Sequence, residues 1–279
     1  NLDKSSLSYW LNLLQNLECE KNIFLTLNPL RDIPEEKIFK KIKFTHPYYD
    51  QNALDNQKRF IDTLRWGLNL SLLVSVPSAA GLFLLSAPLI STIFLGGTFS
   101  DYDLMMTDIS LRGYSLGIIG LCMVLVLSPA FYAREDTKTP LRFGLITLCI
   151  NVILSVLFVS YFVSKNSEFP HLGLALAFSI ASITNAILLF YQLVKERLIE
   201  INRDGFVYLL RIALATTGMT AFLMAFNPND SLWIDSGIFE RIGSLFFLIS
   251  LSVIIYFSIL FLLGFRLKDL RIETTSQRL

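Results

Sequence analysis

Two long uncharged stretches constrain this chain more than any other feature. No charged residue occurs from Gly113 to Ala133 or from Phe143 to Ser164. Each stretch is about as long as the ~20 residues that an α-helix needs to cross the hydrocarbon core of a bilayer. The composition agrees, because the mean hydropathy is +0.54 and only 17% of the residues are charged. We therefore predict an all-α polytopic membrane protein.

Four further apolar stretches bring the number of predicted transmembrane helices to about six. We expect the spans at about residues 66–86, 111–133, 141–163, 172–194, 206–226 and 242–264. The loops between them alternate between basic clusters, such as Arg134 with Lys138, and neutral or acidic stretches, such as Asp101 with Asp103. Basic loops lie mostly on the cytoplasmic side of a membrane. We expect both ends of the membrane domain to be cytoplasmic.

The first apolar stretch is too long for one straight span. It runs on to about Leu95 and contains Pro77 and Pro88. Because a proline inside a helix removes a backbone hydrogen bond, we predict a break at Pro88. A short re-entrant or interfacial piece should follow the break and end at Gly96.

Residues 1–57 predict a small soluble α+β segment. The apolar spacing from Leu7 to Gln15 is typical of a helix, and Ile23–Leu27 is a β-rich run. Residues Ile38–Phe44 alternate in the manner of a second strand. A segment of this length can hardly bury a stable core alone.

The sequence contains no strong catalytic or cofactor-binding motif. It has no phosphate-binding loop, no HExxH pair and no nucleophile elbow. The three cysteines lack the spacing of a zinc site, and a net charge of +1 gives no reason to expect nucleic acid. We therefore expect no enzyme activity, no cofactor and no metal.

A charged hinge, Phe131–Pro140, joins the second and third spans. Asp136 or Thr137 is suited to capping the helix that begins near Pro140. Arg134 and Lys138 are suited to contacting anionic headgroups. The alternative is that they form a cytoplasmic gate, which contacts a substrate or pairs with another part of the protein.

Polar residues within or beside the spans have two interpretations. Asn151 and Asn185 lie in the middle of spans three and four, as links between helices or as the polar wall of a transport path. Arg112, Arg211 and Arg241 lie near span ends, where we expect them to extend towards the membrane interface.

Residues 58–270 resemble the C-terminal half of the lipid II flippase family, MurJ or MviN, among the exporters of lipid-linked oligosaccharides. The resemblance rests on short motifs that occur in the family's order. They are Leu64-Arg-Trp-Gly-Leu68, Val76-Pro-Ser-Ala-Ala-Gly81, Leu85-Ser-Ala-Pro-Leu89, Ile93-Phe-Leu-Gly-Gly-Thr-Phe99, Leu111-Arg-Gly-Tyr-Ser-Leu-Gly117, Ser128-Pro-Ala-Phe-Tyr-Ala-Arg-Glu-Asp-Thr-Lys-Thr-Pro140, His171-Leu-Gly-Leu-Ala175 and Leu263-Gly-Phe265.

This resemblance implies a fold, a function and partners. The six spans would be the last six of a fourteen-helix fold, followed by a cytoplasmic tail at residues 271–279. The family moves the undecaprenyl-linked peptidoglycan precursor, lipid II, from the inner to the outer leaflet of the bacterial inner membrane by alternating access. The implied partners are that precursor, membrane lipids and a separate N-terminal half of the flippase.

The resemblance also implies candidate residues and departures from the family pattern. The candidates for a substrate path or gate are Arg112, Tyr114, Tyr132, Arg134, Asp136, Lys138, Asn151 and Asn185. A lysine that the family usually has is replaced by Leu125, and the family's first eight helices, with most of its cationic cavity, have no counterpart. Spans five and six match the two helices that form a groove for the polyprenyl tail.

Residues 1–57 resemble instead a late segment of flavin-dependent amine-oxidase-like proteins. The resemblance rests on Ser8-Tyr-Trp-Leu-Asn-Leu-Leu-Gln15, Phe24-Leu-Thr-Leu-Asn-Pro29 and Phe44-Thr-His-Pro-Tyr-Tyr-Asp50. The glycine-rich flavin segment and the dinucleotide fingerprint of those proteins are missing, so we expect no bound flavin. Besides a flippase fragment, the sequence leaves open a non-functional chimera and a membrane-anchored remnant of a flavin-dependent oxidoreductase.

Overall fold

The structure, a computed structural model, divides the chain into two compact units, 1–50 and 51–279. It describes residues 6–16, 21–27, 29, 31–42, 51–200, 202–227 and 230–266, with the backbone alone at 51–55, 230 and 231.

The first unit contains a two-stranded antiparallel sheet. Strand β1, Leu7–Trp10, leads into the one-turn helix α1, Leu11–Leu14, and pairs with β2, Phe24–Leu27. The predicted helix from Leu7 is therefore wrong in its first half, because pairing with β2 supplies backbone hydrogen bonds and aromatic residues favour strands. The predicted strand β2 is confirmed.

The second strand predicted at Ile38–Phe44 is absent from the part of it that the structure describes. Residues 38–42 follow a short 3₁₀ turn, Glu35–Lys37, without strand pairing, and residues 43 and 44 lie outside the described residues. None of the described residues of the first unit is buried. This agrees with the marginal stability of isolated two-stranded sheets.

The second unit is helical. Its helices are α2 Gln51–Leu84, α3 Ser86–Phe94, α4 Asp101–Ser115, α5 Ile118–Tyr132, α6 Lys138–Ser164, α7 Leu172–Lys195, α8 Arg203–Phe226, α9 Asp230–Asp235 and α10 Ile238–Leu262. Five of them are long and apolar enough to cross a membrane, and the number is six when the bent pair α4–α5 is counted as one span. The predicted polytopic α-helical fold with a small N-terminal sheet is confirmed.

The break after the first span lies at Leu85, between α2 and α3. The prediction of a break at Pro88 is wrong, since Pro88 lies inside the first turn of α3. The first N–H groups of a helix have no intrahelical acceptor, so a proline there loses no hydrogen bond. Pro77 likewise lies within α2, which continues through it.

The second span is bent rather than straight. Its helix begins at Asp101, where Ser100 and Asp103 cap it reciprocally, and it turns by 43° between α4 and α5. The Ser179 hydroxyl of α7 donates to the Gly113 carbonyl at 2.7 Å, and the Gly117 N–H bonds to Tyr114. A side chain that bonds to a helix carbonyl in this way is a known cause of kinks.

Helix α2 lies at the centre of the packing. It contacts α5 on one side and α8 on another, while α7 packs on α4, α5 and α6. One buried cluster joins α2 to α8 and α10, and includes Leu73, Leu223 and Leu260. A second cluster joins α2 to the ends of α5 and α7 through Leu68, Phe131 and Leu193.

Candidate functional site

The hinge between α5 and α6 is an ordered turn. Glu135 adopts a left-handed backbone conformation with φ of 61°, and the Asp136 N–H donates to the Phe131 carbonyl at 3.0 Å. Such a turn satisfies the last carbonyls of a helix. The Phe131 side chain is fully buried and anchors the turn in the core.

Asp136 caps the start of α6. Its Oδ1 accepts hydrogen bonds from the backbone N–H groups of Lys138 at 3.1 Å and Thr139 at 3.0 Å. The hydrogen bonds from Thr139 hold the pKa of the Asp136 carboxyl below its usual range. The predicted cap is therefore provided by Asp136, whereas Thr137 makes no side-chain capping bond.

Arg134 of the hinge forms an ion pair with Glu196, at the end of α7. Gln192 donates to the other oxygen of the Glu196 carboxylate at 2.6 Å. Burial alone would raise the pKa of Glu196, but the hydrogen bonds from Arg134 and Gln192 outweigh it and lower the pKa. Arg134 thus pairs within its own unit, through a residue that the sequence analysis missed.

The end of α7 repeats the geometry of the end of α5. Arg197 has a φ of 59°, and the Leu198 N–H donates to the Leu193 carbonyl at 3.0 Å. The Arg134–Glu196 pair therefore joins two helix-ending turns of the same kind. Two other predicted hinge residues, Tyr132 and Lys138, are exposed beside it.

Arg112 belongs to a second polar cluster, on α4. Its Nε donates to Asp108 Oδ1 and to Ser86 Oγ, each at 3.0 Å, and its second terminal nitrogen lies 3.0 Å from Asp108 Oδ2. The Ser86 hydroxyl also donates to Asp108. A buried carboxylate holds the Arg112 guanidinium, and the expected extension of this side chain to the interface stays a prediction. The four-residue spacing of Asp108 and Arg112 was the signal available in the sequence.

Arg241 is buried, so its side chain does not extend out of the protein. Only 8% of the residue is exposed, and its two terminal nitrogens donate to the Ser91 carbonyl at 3.1 Å and the Ile234 carbonyl at 2.6 Å. Among the described residues it has no ion pair. Arg211 is partly exposed, and its predicted position at the interface stays a prediction.

Three predicted residues remain, and they are Asn151, Asn185 and Tyr114. Asn151 on α6 accepts a long hydrogen bond, 3.5 Å, from Ser155 of the same helix. The buried Oδ1 of Asn185 on α7 has no hydrogen-bond partner in the part of the chain that the structure describes. Tyr114 is partly exposed and packs edge-to-face on Phe178.

An apolar groove of about 500 Å³ runs between α5 and α7, and the sequence analysis did not predict it. The two backbones approach closely, since a Cβ on Gly120 would lie 2.6 Å from the Ile183 nitrogen. The surface that lines the groove is apolar. The lining residues are Ile119, Gly120, Met123, Ile183, Ala186, Ile187, Phe190, Tyr191 and Val194. Such a surface can hold a hydrocarbon chain or an apolar helix face.

The family to which these helices belong is decided by a comparison of sequences. Residues 50–241 match the family model described as "Lipid II flippase MurJ". The match begins one residue before α2 and ends in the first turn of α10. The chain belongs to the MurJ family. The resemblance deduced from the hinge and the other motifs is thereby confirmed.

Curated MurJ relatives are similar over about three quarters of the chain. "Probable lipid II flippase MurJ" of Vibrio cholerae is 33% identical over 215 residues, which are 77% of this chain and 40% of the relative. The protein of the same name from Buchnera aphidicola subsp. Acyrthosiphon pisum is 36% identical over 74% of this chain and 39% of the relative. "Lipid II flippase MurJ" of Burkholderia cenocepacia is 29% identical over 73% and 38%.

The chain thus spans about two fifths of the length of these MurJ relatives. Its family and its apolar helices make it a multi-pass protein of the bacterial inner membrane. Within the described residues, no group of three or more His, Cys, Asp or Glu side chains is arranged to hold a metal ion.

Proposed function

We propose that residues 51–266 form the C-terminal part of a lipid II flippase. The flippase moves the undecaprenyl-linked peptidoglycan precursor from the inner to the outer leaflet for cell-wall synthesis. The observation that carries this proposal is the family match over residues 50–241, which covers the helical unit from α2 to the start of α10. The bend between α4 and α5 supports it, because alternating access needs helices that can change their angle.

The hinge suits the cytoplasmic side of such a transporter. Arg134, Lys138 and Arg142 lie at the end of α5 and the start of α6, where basic loops mark the cytoplasm. Lys138 and Arg142 are exposed and can meet the pyrophosphate of a substrate or the phosphates of anionic lipids. We assign Arg134 and Asp136 to hold the hinge in shape and Lys138 to contact the substrate.

The polyprenyl tail of the substrate is proposed to lie along α8 and α10. The two helices pack on each other and expose large apolar side chains such as Leu214, Phe246 and Phe247. Exposed apolar surface of this kind is favourable against hydrocarbon and unfavourable against water.

Transport by this chain is proposed to require a second polypeptide. The curated relatives are about two and a half times as long as the stretch that they share with this chain. We propose that a separate N-terminal flippase half supplies the missing helices and the cationic cavity.

A non-functional chimera is the second candidate, and a membrane-anchored oxidoreductase remnant is the third. The observation that favours a chimera is the boundary near residue 50, where the compact units divide and the family match begins.

Complementation tests these proposals. A bacterium depleted of its flippase would receive this chain alone, the N-terminal part of the Vibrio cholerae relative alone, or both. We expect growth only with both polypeptides. If the two polypeptides together do not restore growth although both are present in the membrane, the chimera is favoured. Bound flavin in the purified chain would favour the oxidoreductase remnant.

A further inference from the structure

Helix α3 is a short helix that contacts both helix groups of the membrane-spanning unit. It packs on α4 of the group α4–α7 and on α9 and α10 of the group α8–α10. Neither α8 nor α10 packs extensively on α4, α5, α6 or α7 within the described residues. The two groups are therefore joined through α2 and α3.

The first end of α3 is held by α4. Ser86, the first residue of α3, is fully buried, and its hydroxyl lies between the Asp108 carboxylate and the Arg112 Nε. Asp108 is itself only 7% exposed. A negative charge near the first turn of a helix is favourable, because the unpaired N–H groups there carry partial positive charge.

The last turn of α3 is held by α10. Arg241 donates to the Ser91 carbonyl, one of the last four carbonyls of α3, and to the Ile234 carbonyl near the end of α9. A positive charge at the last turn of a helix is favourable, because the unpaired carbonyl groups there carry partial negative charge. The buried guanidinium thus compensates two helix ends at once.

We infer that α3 couples the two helix groups, with Asp108 and Arg241 as positioning residues at its two ends. Asp108, in its ion pair with Arg112, holds Ser86 at the first turn of α3, and the buried positive charge of Arg241 lies at the last turn. The two residues belong to helices of different groups. A change in the angle of α4 at its bend is transmitted through Ser86 to α3 and through Arg241 to α10. The inference concerns packing alone and does not depend on the proposed transport activity.

Distances between spin labels test this coupling in the full chain, reconstituted in lipid nanodiscs. With the three native cysteines replaced by Ala, one label pair would join α6 to α10 at Val152→Cys and Phe246→Cys. A reference pair within the first group would join Val152→Cys to Leu174→Cys. All three sites are exposed. The variants are Asp108→Asn, Arg241→Gln and their combination, with Glu240→Gln as the control on the exposed side of α10.

We expect Asp108→Asn and Arg241→Gln each to broaden the α6–α10 distance distribution about twofold or more, with the reference distance unchanged. The combined variant should add little to either change, because one broken end already uncouples α3. Unchanged distributions in both single variants would overturn the inference. Additive effects of the two substitutions would also overturn the inference, because they indicate independent local defects. Equal broadening of the reference distance would overturn it as well, because it indicates general destabilisation.

Discussion

Arg134 and Glu196 form an ion pair across 62 residues of sequence, and it joins the turn after α5 to the turn after α7. Both turns end their helices with a left-handed residue, Glu135 in one and Arg197 in the other. The basic hinge is therefore attached to a neighbouring helix instead of extending freely towards the membrane surface. Arg134 therefore has a structural role in the hinge, whereas Lys138 and Arg142 are exposed.

The first prediction concerns that attachment. Arg134→Gln should release the hinge from α7 and increase amide hydrogen exchange at residues 133–139 several-fold. The global stability should change by less than about 1 kcal/mol, because the pair is partly exposed. Lys138→Gln is the matched control, since it removes an exposed charge from the same hinge. Equal exchange in the two variants would show that Arg134 does not hold the hinge.

The second prediction concerns pH. The pKa of Glu196 lies below its usual value of about 4.5 in the folded protein, so the folded state favours the ionised form. The stabilisation is complete above the unfolded-state pKa and is lost as the pH falls through the lower folded-state pKa. We expect the exchange rate of the hinge to rise in that range once the intrinsic pH dependence of exchange is subtracted. Glu196→Gln should reduce that rise, and the remainder is expected from Asp136, whose pKa is lowered as well. An unchanged rise in the variant would show that Glu196 does not contribute to it.

The third prediction concerns the buried cluster on α4. Asp108→Asn should leave Arg112 without its ion pair and lower the free energy of unfolding in detergent by about 1–3 kcal/mol. The value stays below that for a fully buried pair, because the Arg112 side chain is 36% exposed. Asp101→Asn, at the exposed start of α4, is the control and should change it by less than about 0.5 kcal/mol. Equal effects would mean that the cluster contributes no more than a surface charge.

The fourth prediction concerns the close approach of α5 and α7. Gly120→Ala should push the helices apart, because the new Cβ would lie 2.6 Å from the backbone nitrogen of Ile183. Overpacking of this kind costs about 1–3 kcal/mol. Gly144→Ala on α6 meets no atom within 4 Å and should be neutral or stabilising by up to about 1 kcal/mol. Thermal unfolding of both variants gives the comparison, and a stable Gly120→Ala protein would contradict the packing described.

The positions of the long apolar helices follow from the sequence because apolar length is a local property. The predicted spans at 141–163 and 172–194 correspond to α6, Lys138–Ser164, and α7, Leu172–Lys195. The bend between α4 and α5 did not follow, because the Ser179 hydroxyl that bonds to the Gly113 carbonyl beside it is 66 residues away in the chain. In the same way, the burial of Arg241 depends on carbonyls of α3 and α9, and no spacing of residues in the sequence predicts that these carbonyls lie near it.

The candidate site was only partly predictable for the same reason. The cap by Asp136 is local and was predicted, whereas Glu196 and Ser86 become partners only when distant helices pack. The strand at Leu7–Trp10 was missed because the helical spacing of its apolar residues continues into α1, and only pairing with Phe24–Leu27 decides between the two structures.

The most direct test of the central claim is transfer of a labelled undecaprenyl-linked precursor between the leaflets of reconstituted vesicles. The vesicles would contain this chain together with the N-terminal part of a MurJ relative, with either polypeptide alone as controls. We predict transfer only when both are present, and a reduced rate with Lys138→Gln in this chain. Transfer no faster than in protein-free vesicles, with both polypeptides inserted and associated, would contradict the account.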